Sequence, residues 1–433
     1  MSPLDRRPAR LTALTALAVC PAFLLVAACG SGGSEVSAAP AVVAADATPN
    51  TTASSTAAAA APRPRVSPSG TGGASPSGPA RATRPAPTPV ASPTAAPRAA
   101  TALPKGAVVV GSGRARTCTA AALRSAVARV VKRGSGTVSF DCGASPATIA
   151  LDRPLAFTGG ATSRFVLDGR GLVTLDGRDR TGLVTLDGRP GVSYTFRGLT
   201  FTRGRTTERG AAIHGGWRNR LLVEDCTFTS NAVTPSSDGE AGGGAIYAHE
   251  GSATVRRSTF RGNTARLGGA IMSTITDVVV ESSTFIGNRA AYAGGAIYAD
   301  AGVLIVRGST VSGNRATYQA GGIWMWHPDP RTARIEKSTI SGNRVTGSGT
   351  NGGMAAGIHN GSGPLLITDS TISGNVASYL GGGVFNYKAV TTIRRTRFVG
   401  NKAKHAGGAL FNGGGSIVTT GCTFRGNTPR DVR

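Results

Sequence analysis

The chain has 433 residues, of which 62 are glycine, 40% are hydrophobic and only 5% are aromatic. This composition excludes a thick core of large rings and favours a thin, layered core of small and branched side chains. Lysine and arginine number 47 against 22 acidic residues, and the excess persists beyond Lys105, which favours anionic partners, although a general arginine bias of the genome explains the same excess.

The N-terminal segment has the pattern of an export signal. Several arginines precede an apolar stretch over residues 11–26, as in a secretory signal peptide. The letters LVAACG at its end resemble the bacterial lipobox, in which the cysteine, here Cys29, becomes lipid-modified. We expect residues 1–28 to be a lipoprotein-type signal peptide, with ordinary cleavage and release as the alternative. No later apolar run approaches the roughly 20 residues of a membrane span.

A linker is expected over residues 29–104. The segment consists almost entirely of Ala, Pro, Ser, Thr and Gly, with hardly any large apolar side chain to bury. Such a segment stays disordered by itself, and its prolines favour extended conformations. The sequence therefore predicts a spacer that presents the following part of the chain away from the membrane.

Residues 105–145 have the pattern of an N-terminal cap, with an amphipathic helix followed by a strand. The expected buried face of the helix consists of Leu123, Val127, Val130 and Val131. A repeat structure needs such a cap because its end exposes core and unpaired strand edge. Two cysteines flank this helix and strand, and in an exported protein we expect them to form a disulfide. They are Cys118 and Cys142.

From residue 146 to 433 the chain repeats itself. One copy reads STFRGNTARLGGAI from Ser258, and the next reads STFIGNRAAYAGGAI from Ser283. A large apolar residue recurs in steps of about 25 to 32 residues, which is the signature of stacked coils. This column contains Phe201, Phe228, Phe260, Phe285, Val311, Ile340, Ile372, Phe398 and Phe424.

A second apolar column keeps nearly the same period. It contains Ile213, Ile246, Ile271, Ile297, Ile323, Ile358, Val384 and Leu410. Runs that alternate with period two, such as VVVESS from Val278, precede each copy and predict short strands. An asparagine column that includes Asn263 and Asn288 is expected to stack as a hydrogen-bonded ladder at a corner. The sequence therefore predicts an all-β, right-handed parallel β-helix solenoid with an N-terminal capping helix.

The paired FxGN and GGAI motifs resemble the polymorphic outer membrane protein repeats of chlamydial surface proteins, within the pectate-lyase-like superfamily. The motifs extend over residues 199–427, about half of the chain. The resemblance implies a surface-exposed, adhesin-like β-helix. The sequence contains no C-terminal membrane β-barrel pattern, so the resemblance does not imply an autotransporter mechanism.

Catalytic residues are harder to find in this sequence. Asp168, Asp176 and Asp187 are the best acidic cluster, because their spacing allows the outer two to lie on adjacent coils. Asp-Gly after a strand is also a common turn, and this is the favoured interpretation. The five histidines have no metal-ligand spacing, so we expect neither a metal nor a cofactor. Enzyme activity is left open, with a non-enzymatic protein favoured.

A binding edge is easier to recognise. One residue after the corner asparagine the repeats place cations, and four residues after it they place tyrosines. Rings beside cations suit sugars that carry uronate or phosphate groups, although the tyrosines are equally explained as packing over the next turn. The candidates, with two tryptophans of a nearby insertion, are Arg289, Arg315, Arg344, Tyr292, Tyr318, Tyr379, Trp324 and Trp326.

The sequence as a whole favours a non-enzymatic cell-surface lipoprotein that mediates adhesion or binds an acidic glycan or cell-wall polymer. A polysaccharide lyase or glycoside hydrolase of the same fold is the first alternative, and a structural envelope protein is the second. Contact with the membrane is expected only through the lipid anchor, and specific nucleic acid binding is not expected. The oligomeric state and the ligand are not determined by the sequence.

Overall fold

The computed structural model describes residues 102–234, 241–328, 330–347 and 352–429. These residues form a β-solenoid of about 12 turns with one α-helix near its N-terminal end. The predicted fold class is therefore confirmed. The signal peptide, its Cys29 and the linker up to residue 101 lie outside the described residues. Within the described part of the chain, no helix is long and apolar enough to cross a membrane.

The N-terminal end of the solenoid is covered by the helix Ala120–Lys132, which follows a 3-10 turn at Ala115–Thr117. Thr119 caps the helix, because its Oγ1 accepts a hydrogen bond from the backbone N–H of Ala122. The buried face of the helix consists of Leu123, Ala126, Val127 and Val130. Val131, which the sequence placed on this face, is only partly buried.

The disulfide between Cys118 and Cys142 is present, with a Cα–Cα distance of 5.7 Å. It joins the segment that leads into the helix to the end of the strand Gly136–Phe140. Structural disulfides are typical of proteins outside the cytoplasm, so this bond agrees with export.

A complete coil passes through four faces, here named the Val, Phe, short and Ile faces in chain order, and the described coils before Ser193 have no strand of the short face. Strands of the Val face are Val108–Val110, Gly136–Phe140, Leu304–Arg307, Ala333–Glu336, Pro364–Thr368, Ala389–Arg394 and Gly415–Thr420. Strands that run from the Val face into the Phe face are Arg164–Asp176 and Ser193–Thr202. The remaining strands of the Phe face are Ala147–Ala150, Thr227–Thr229, Thr259–Arg261, Thr284–Ile286, Thr310–Ser312, Thr339–Ser341, Thr371–Ser373, Arg397–Val399 and Thr423–Arg425.

The other two faces complete such a coil. Strands of the short face are Arg205–Thr206, Ala232–Val233, Thr264–Leu267, Arg289–Ala293, Arg315–Ala316, Arg344–Val345, Val376–Ala377 and Lys402–Ala403. Strands of the Ile face are Leu155–Phe157, Val184–Leu186, Ile297–Asp300, Ile323–Trp326, Ile358–Asn360, Val384–Asn386 and Leu410–Asn412. Strands that run from the Ile face into the Val face are Ile213–Glu224, Ile246–Arg256 and Ile271–Glu281.

Strands of successive coils pair in parallel and in register, so equivalent residues stack along the rod. Phe228, Phe260 and Phe285 are aligned partners, and the rings of Phe228 and Phe260 lie 4.6 Å apart with planes inclined by 3°. Ile246 and Ile271 are aligned in the same way on the Ile face. These columns form the core, and burial of one such side chain contributes about 1.5 to 3 kcal/mol.

The corner between the Phe face and the short face contains the asparagine ladder. The Nδ2 of Asn288 donates to the Oδ1 of Asn314 at 2.9 Å and to the backbone oxygen of Phe260 at 3.1 Å. The left-handed residue at this corner is the preceding Gly287, with φ of 65°. Glycine makes the bend, and the asparagine is left to satisfy buried polar groups inside the coil.

Candidate functional site

The outer row of the Val face alternates between acids and arginines. In register along the rod it contains Asp168, Arg197, Glu224, Arg256, Glu281, Arg307 and Glu336. The Nε atoms of Arg256 and Arg307 lie 2.9 Å from carboxylate oxygens of Glu281 and Glu336. The turn that follows holds further pairs, such as Arg395 with Asp369 at 2.7 Å. We call this row and turn the paired side.

The outer row of the Phe face is uncharged along most of its length. It contains Thr148, Thr174, Thr200, Thr227, Thr259, Thr284, Thr310, Thr339, Thr371, Arg397 and Thr423. Threonine suits such positions because its branched side chain packs well on a pleated surface. This row offers hydroxyl groups but no cluster of catalytic groups.

The three aspartates that the sequence grouped do not converge. Asp168 lies on the Val face, Asp176 at the end of the Phe face and Asp187 after the Ile face, all in one coil rather than on adjacent coils. Burial raises the pKa of Asp176, but hydrogen bonds from Arg203 and from the backbone of Arg178 outweigh it and hold this pKa below its usual value. In the described ranges, no three His, Cys, Asp or Glu residues are arranged to hold a metal ion.

The outer surface of the Ile face carries a ladder of rings. In register it contains His214, Tyr247, Met272, Tyr298, Trp324, His359, Phe385 and Phe411. The ring centroids of Tyr298 and Trp324 lie 4.1 Å apart with planes inclined by 1°. Most of the ladder is buried, because residues near the ends of short-face strands, such as Leu267 and Tyr292, pack over it.

His359 lies inside this ladder between two aromatic rings. Its centroid is 5.9 Å from that of Trp324 and 5.3 Å from that of Phe385. Burial lowers the pKa of His359 to about 3, so the imidazole is neutral at physiological pH. The ring therefore acts as an aromatic packing element in the described structure.

The tyrosines of the predicted edge belong to two separate ring pairs, one of two tyrosines and one of a tyrosine and a histidine. Tyr292 and Tyr318 stack at 5.0 Å, and Tyr379 contacts His405 edge to face at 4.7 Å. The coil between the pairs has Gly347 at the equivalent position and contributes no ring. Tyr318 is exposed, whereas Tyr292 and Tyr379 are partly buried.

The two tryptophans of the predicted site differ in accessibility. Trp324 is 6% exposed and donates its Nε1–H to the side-chain oxygen of Gln319. Trp326 is partly buried against the same apolar cluster. Trp324 belongs to the covered ladder, so it does not offer the open ring that the sequence suggested.

The three arginines of the predicted edge are adjacent and exposed. Arg289, Arg315 and Arg344 are aligned partners on consecutive coils of the short face, about 4.8 Å apart along the rod. Within the described ranges, their side chains form no ion pair and no hydrogen bond. From Lys337 to Pro429 the sequence holds one acidic residue, Asp369, which is paired with Arg395.

Sequence reasoning missed one exposed ring. Trp217 lies in the turn after the Ile face and is 47% exposed. It is aligned with His249 of the next coil. The available signal was the letters GGWR, in which an aromatic residue precedes an arginine. The same column contains a second tryptophan, Trp326, four coils later.

Aromatic residues other than phenylalanine are concentrated on one side of the rod. Every tryptophan, and every tyrosine except the buried Tyr194, lies on the short face, on the Ile face, in the loop between them or in the turn after the Ile face. We call these surfaces the aromatic side. The exposed arginines 289, 315 and 344 belong to it as well.

The comparison with protein families agrees with the fold. Residues 173–333 match the family model described as a right handed beta helix region. A search of curated protein sequences gave no match. Among solved structures, PfbA, a surface adhesin of Streptococcus pneumoniae, is 11% identical with a TM-score of 0.37, over 75% of this chain and 93% of that chain.

Two epimerase structures are also similar. The periplasmic alginate epimerase AlgG is 11% identical with a TM-score of 0.30, over 69% of this chain and 88% of that chain. The A-module of a mannuronan C-5 epimerase of Azotobacter vinelandii is 13% identical with a TM-score of 0.32, over 75% and 98%. Likeness at this level carries no argument about the activity of this chain.

Proposed function

We propose that this protein is a non-enzymatic, surface-displayed β-solenoid that binds an acidic polysaccharide or cell-wall polymer through its aromatic side. The observation that carries the proposal is the row of Arg289, Arg315 and Arg344, which are exposed, in register and without an acidic partner in the described structure. The rings of Tyr292 and Tyr318 stack on each other. Each tyrosine follows one of the first two arginines by three residues.

The chemistry of this row suits a polymer with repeated anionic groups. A guanidinium group binds a carboxylate or phosphate through two parallel hydrogen bonds. Three of them at a spacing of about 4.8 Å can engage successive charges of one extended chain. The exposed ring of Tyr318 offers an apolar face for a sugar ring, which adds a contribution that salt does not screen. Tyr292 supports it, because its ring stacks on that of Tyr318 and contacts the guanidinium group of Arg266.

The cellular location is part of the proposal. The N-terminal apolar stretch and the lipobox-like segment support export and attachment through a lipid on Cys29, and several acyl chains hold a protein more firmly than one. The disulfide between Cys118 and Cys142 supports an oxidising compartment. The resemblance of the repeats to chlamydial surface proteins supports display on the cell exterior.

The test is binding of the full chain to immobilised polygalacturonate at low and at physiological salt. We expect the triple variant Arg289→Gln, Arg315→Gln, Arg344→Gln to lose at least ten-fold in affinity. The matched control is Arg256→Gln, Arg307→Gln, Arg394→Gln, which removes the same charge from the Val face and should bind nearly as well as the unaltered chain. Equal losses of affinity in both variants would mean that the polymer responds only to the net positive charge of the protein and not to this row of arginines.

The contribution of the rings is tested separately. Replacement of Tyr292, Tyr318 and Tyr379 by alanine should weaken the binding that remains at physiological salt more than the binding at low salt, because stacking is not screened. Product release from acidic polysaccharides is measured in parallel. Turnover that is abolished by Asp176→Ala would contradict the non-enzymatic proposal.

A further inference from the structure

The ring of Trp217 is the most exposed of the three tryptophan side chains. Trp324, on the neighbouring Ile face, is 6% exposed, whereas Trp217 is 47% exposed. Large rings that remain open to water on a rigid surface often mark a contact with a partner or ligand. The turn that carries Trp217 links two parts of one continuous strand, Ile213–Glu224, so its position is fixed by strand pairing on both sides.

Polar groups hold the indole in place. The guanidinium carbon of Arg218 lies 4.4 Å from the ring centroid of Trp217. The Nε of Arg218 also donates to Glu250 at 2.6 Å, and Glu250 belongs to the adjacent coil. A hydrogen bond from the side chain of Trp217, together with Arg218, holds the pKa of Glu250 below its usual value. Ring, cation and carboxylate therefore form one connected unit across two coils.

The charge of this unit differs from that of the arginine row. Arg218 and Glu250 neutralise each other, whereas Arg289, Arg315 and Arg344 have no acidic partner in the described ranges. A balanced pair beside a ring offers donors and acceptors to hydroxyl groups but no net attraction for an anion. The ring itself offers an apolar face, which suits the C–H face of a sugar.

We infer that Trp217, Arg218 and Glu250 form a stacking subsite for one pyranose ring of an uncharged glycan. The indole packs against the C–H face of the sugar, and Arg218 and Glu250 bind its hydroxyl groups. This subsite does not depend on the arginine row. It would allow the protein to bind an uncharged glycan in addition to the acidic polymer proposed above.

The experiment titrates cellohexaose, chitohexaose, maltohexaose and mannohexaose into the full chain by calorimetry. We expect at least one hexaose to bind with an affinity that is unchanged between low and physiological salt. Trp217→Ala should weaken this binding about ten-fold, the size expected for one lost aromatic stack, and Trp217→Phe should retain most of it. Absence of binding by the unaltered chain to all four hexaoses would overturn the inference.

Two controls separate the subsite from folding and from the arginine row. Ile275→Asn changes another exposed apolar residue of the same corner, with 51% exposure and a left-handed φ of 52°, and should leave hexaose binding unchanged. The triple arginine variant should also retain it. In the unaltered chain, the bound hexaose should slow oxidation of Trp217 by N-bromosuccinimide at least several-fold, and an unchanged oxidation rate would contradict the subsite.

Discussion

The paired side and the aromatic side of this rod are built on the same coils, yet they use their outward positions in opposite ways. On the paired side, Arg307 lies between Glu281 and Glu336 and contacts both. On the aromatic side, Arg315 lies between two further arginines. Since the inward columns determine the fold, outward residues are free to serve either internal pairing or external binding. The contrast therefore supports the proposal that the aromatic side binds the ligand.

The largest effect is expected where the two sides share one core. Phe260→Ala removes a ring that stacks at 4.6 Å on both neighbours and should lower the free energy of unfolding by about 3 to 5 kcal/mol. Chemical denaturation measures this loss, and probes on both sides should report the same transition. The outward Thr259→Ala on the same strand should change stability by less than about 0.5 kcal/mol. Separate transitions for the two sides would break the idea of a common core.

Acid should distinguish the two sides. Because burial lowers the pKa of His359 to about 3, the unfolded chain binds a proton at this residue from about pH 6.5 downward while the folded chain does not. The contribution of neutral His359 to the free energy of unfolding is fully present above about pH 6.5 and is lost as the pH falls towards 3. Between pH 7 and pH 5 the loss should be about 2 kcal/mol. His359→Phe should remove this part of the pH dependence, and an identical pH profile in the variant would contradict the neutral, buried imidazole.

The paired side should respond at lower pH. The hydrogen bond from Arg395 holds the pKa of Asp369 below its ordinary value of 3.8. A carboxylate with a lowered pKa contributes stability that is present above its unfolded pKa and is lost as the pH falls through the folded value. The difference in unfolding free energy between the unaltered chain and Asp369→Asn should therefore disappear only below about pH 4. A difference that disappears near pH 6 would indicate another titrating group.

The smallest effect is expected for loss of one exposed arginine that forms ion pairs. Arg307→Gln removes contacts to two glutamates of the paired side and should lower stability by less than about 1 kcal/mol, because exposed pairs are weak. It should leave polygalacturonate binding unchanged. Arg315→Gln should do the reverse, with unchanged stability and weaker binding. Thermal unfolding and polygalacturonate binding are measured on both variants. Weaker binding by Arg307→Gln would contradict the separate roles of the two sides.

The fold was predictable because repetition exposes the inward columns directly. Phe228, Phe260 and Phe285 share one position of the repeat, and strand pairing in register follows from that alone. The repeat period also predicts that Arg289 and Arg315 lie side by side, as they do in the structure. The solvent exposure of outward-facing side chains was less predictable. Trp324 faces outward from its strand but is covered by the loop of its own side, and loop packing leaves no periodic signal in the sequence.

The predicted aspartate cluster failed for a related reason. The separation of Asp168 from Asp187 is shorter than one coil, so the two carboxylates lie on different faces of the same coil. The LDG motifs recur within one coil and therefore do not keep the period of the FxGN motifs. Trp217 was missed because its column keeps no single residue type. In register this column contains Trp217, His249, Thr274, Asp300 and Trp326.

The most direct test of the account is arginine modification by phenylglyoxal, measured residue by residue with mass spectrometry, with and without saturating polygalacturonate. If the aromatic side binds the polymer, the polymer should protect Arg289, Arg315 and Arg344 several-fold and leave the modification rates of Arg256 and Arg307 unchanged. Equal protection of both groups, or protection confined to Arg256 and Arg307, would contradict the assignment of ligand binding to the aromatic side.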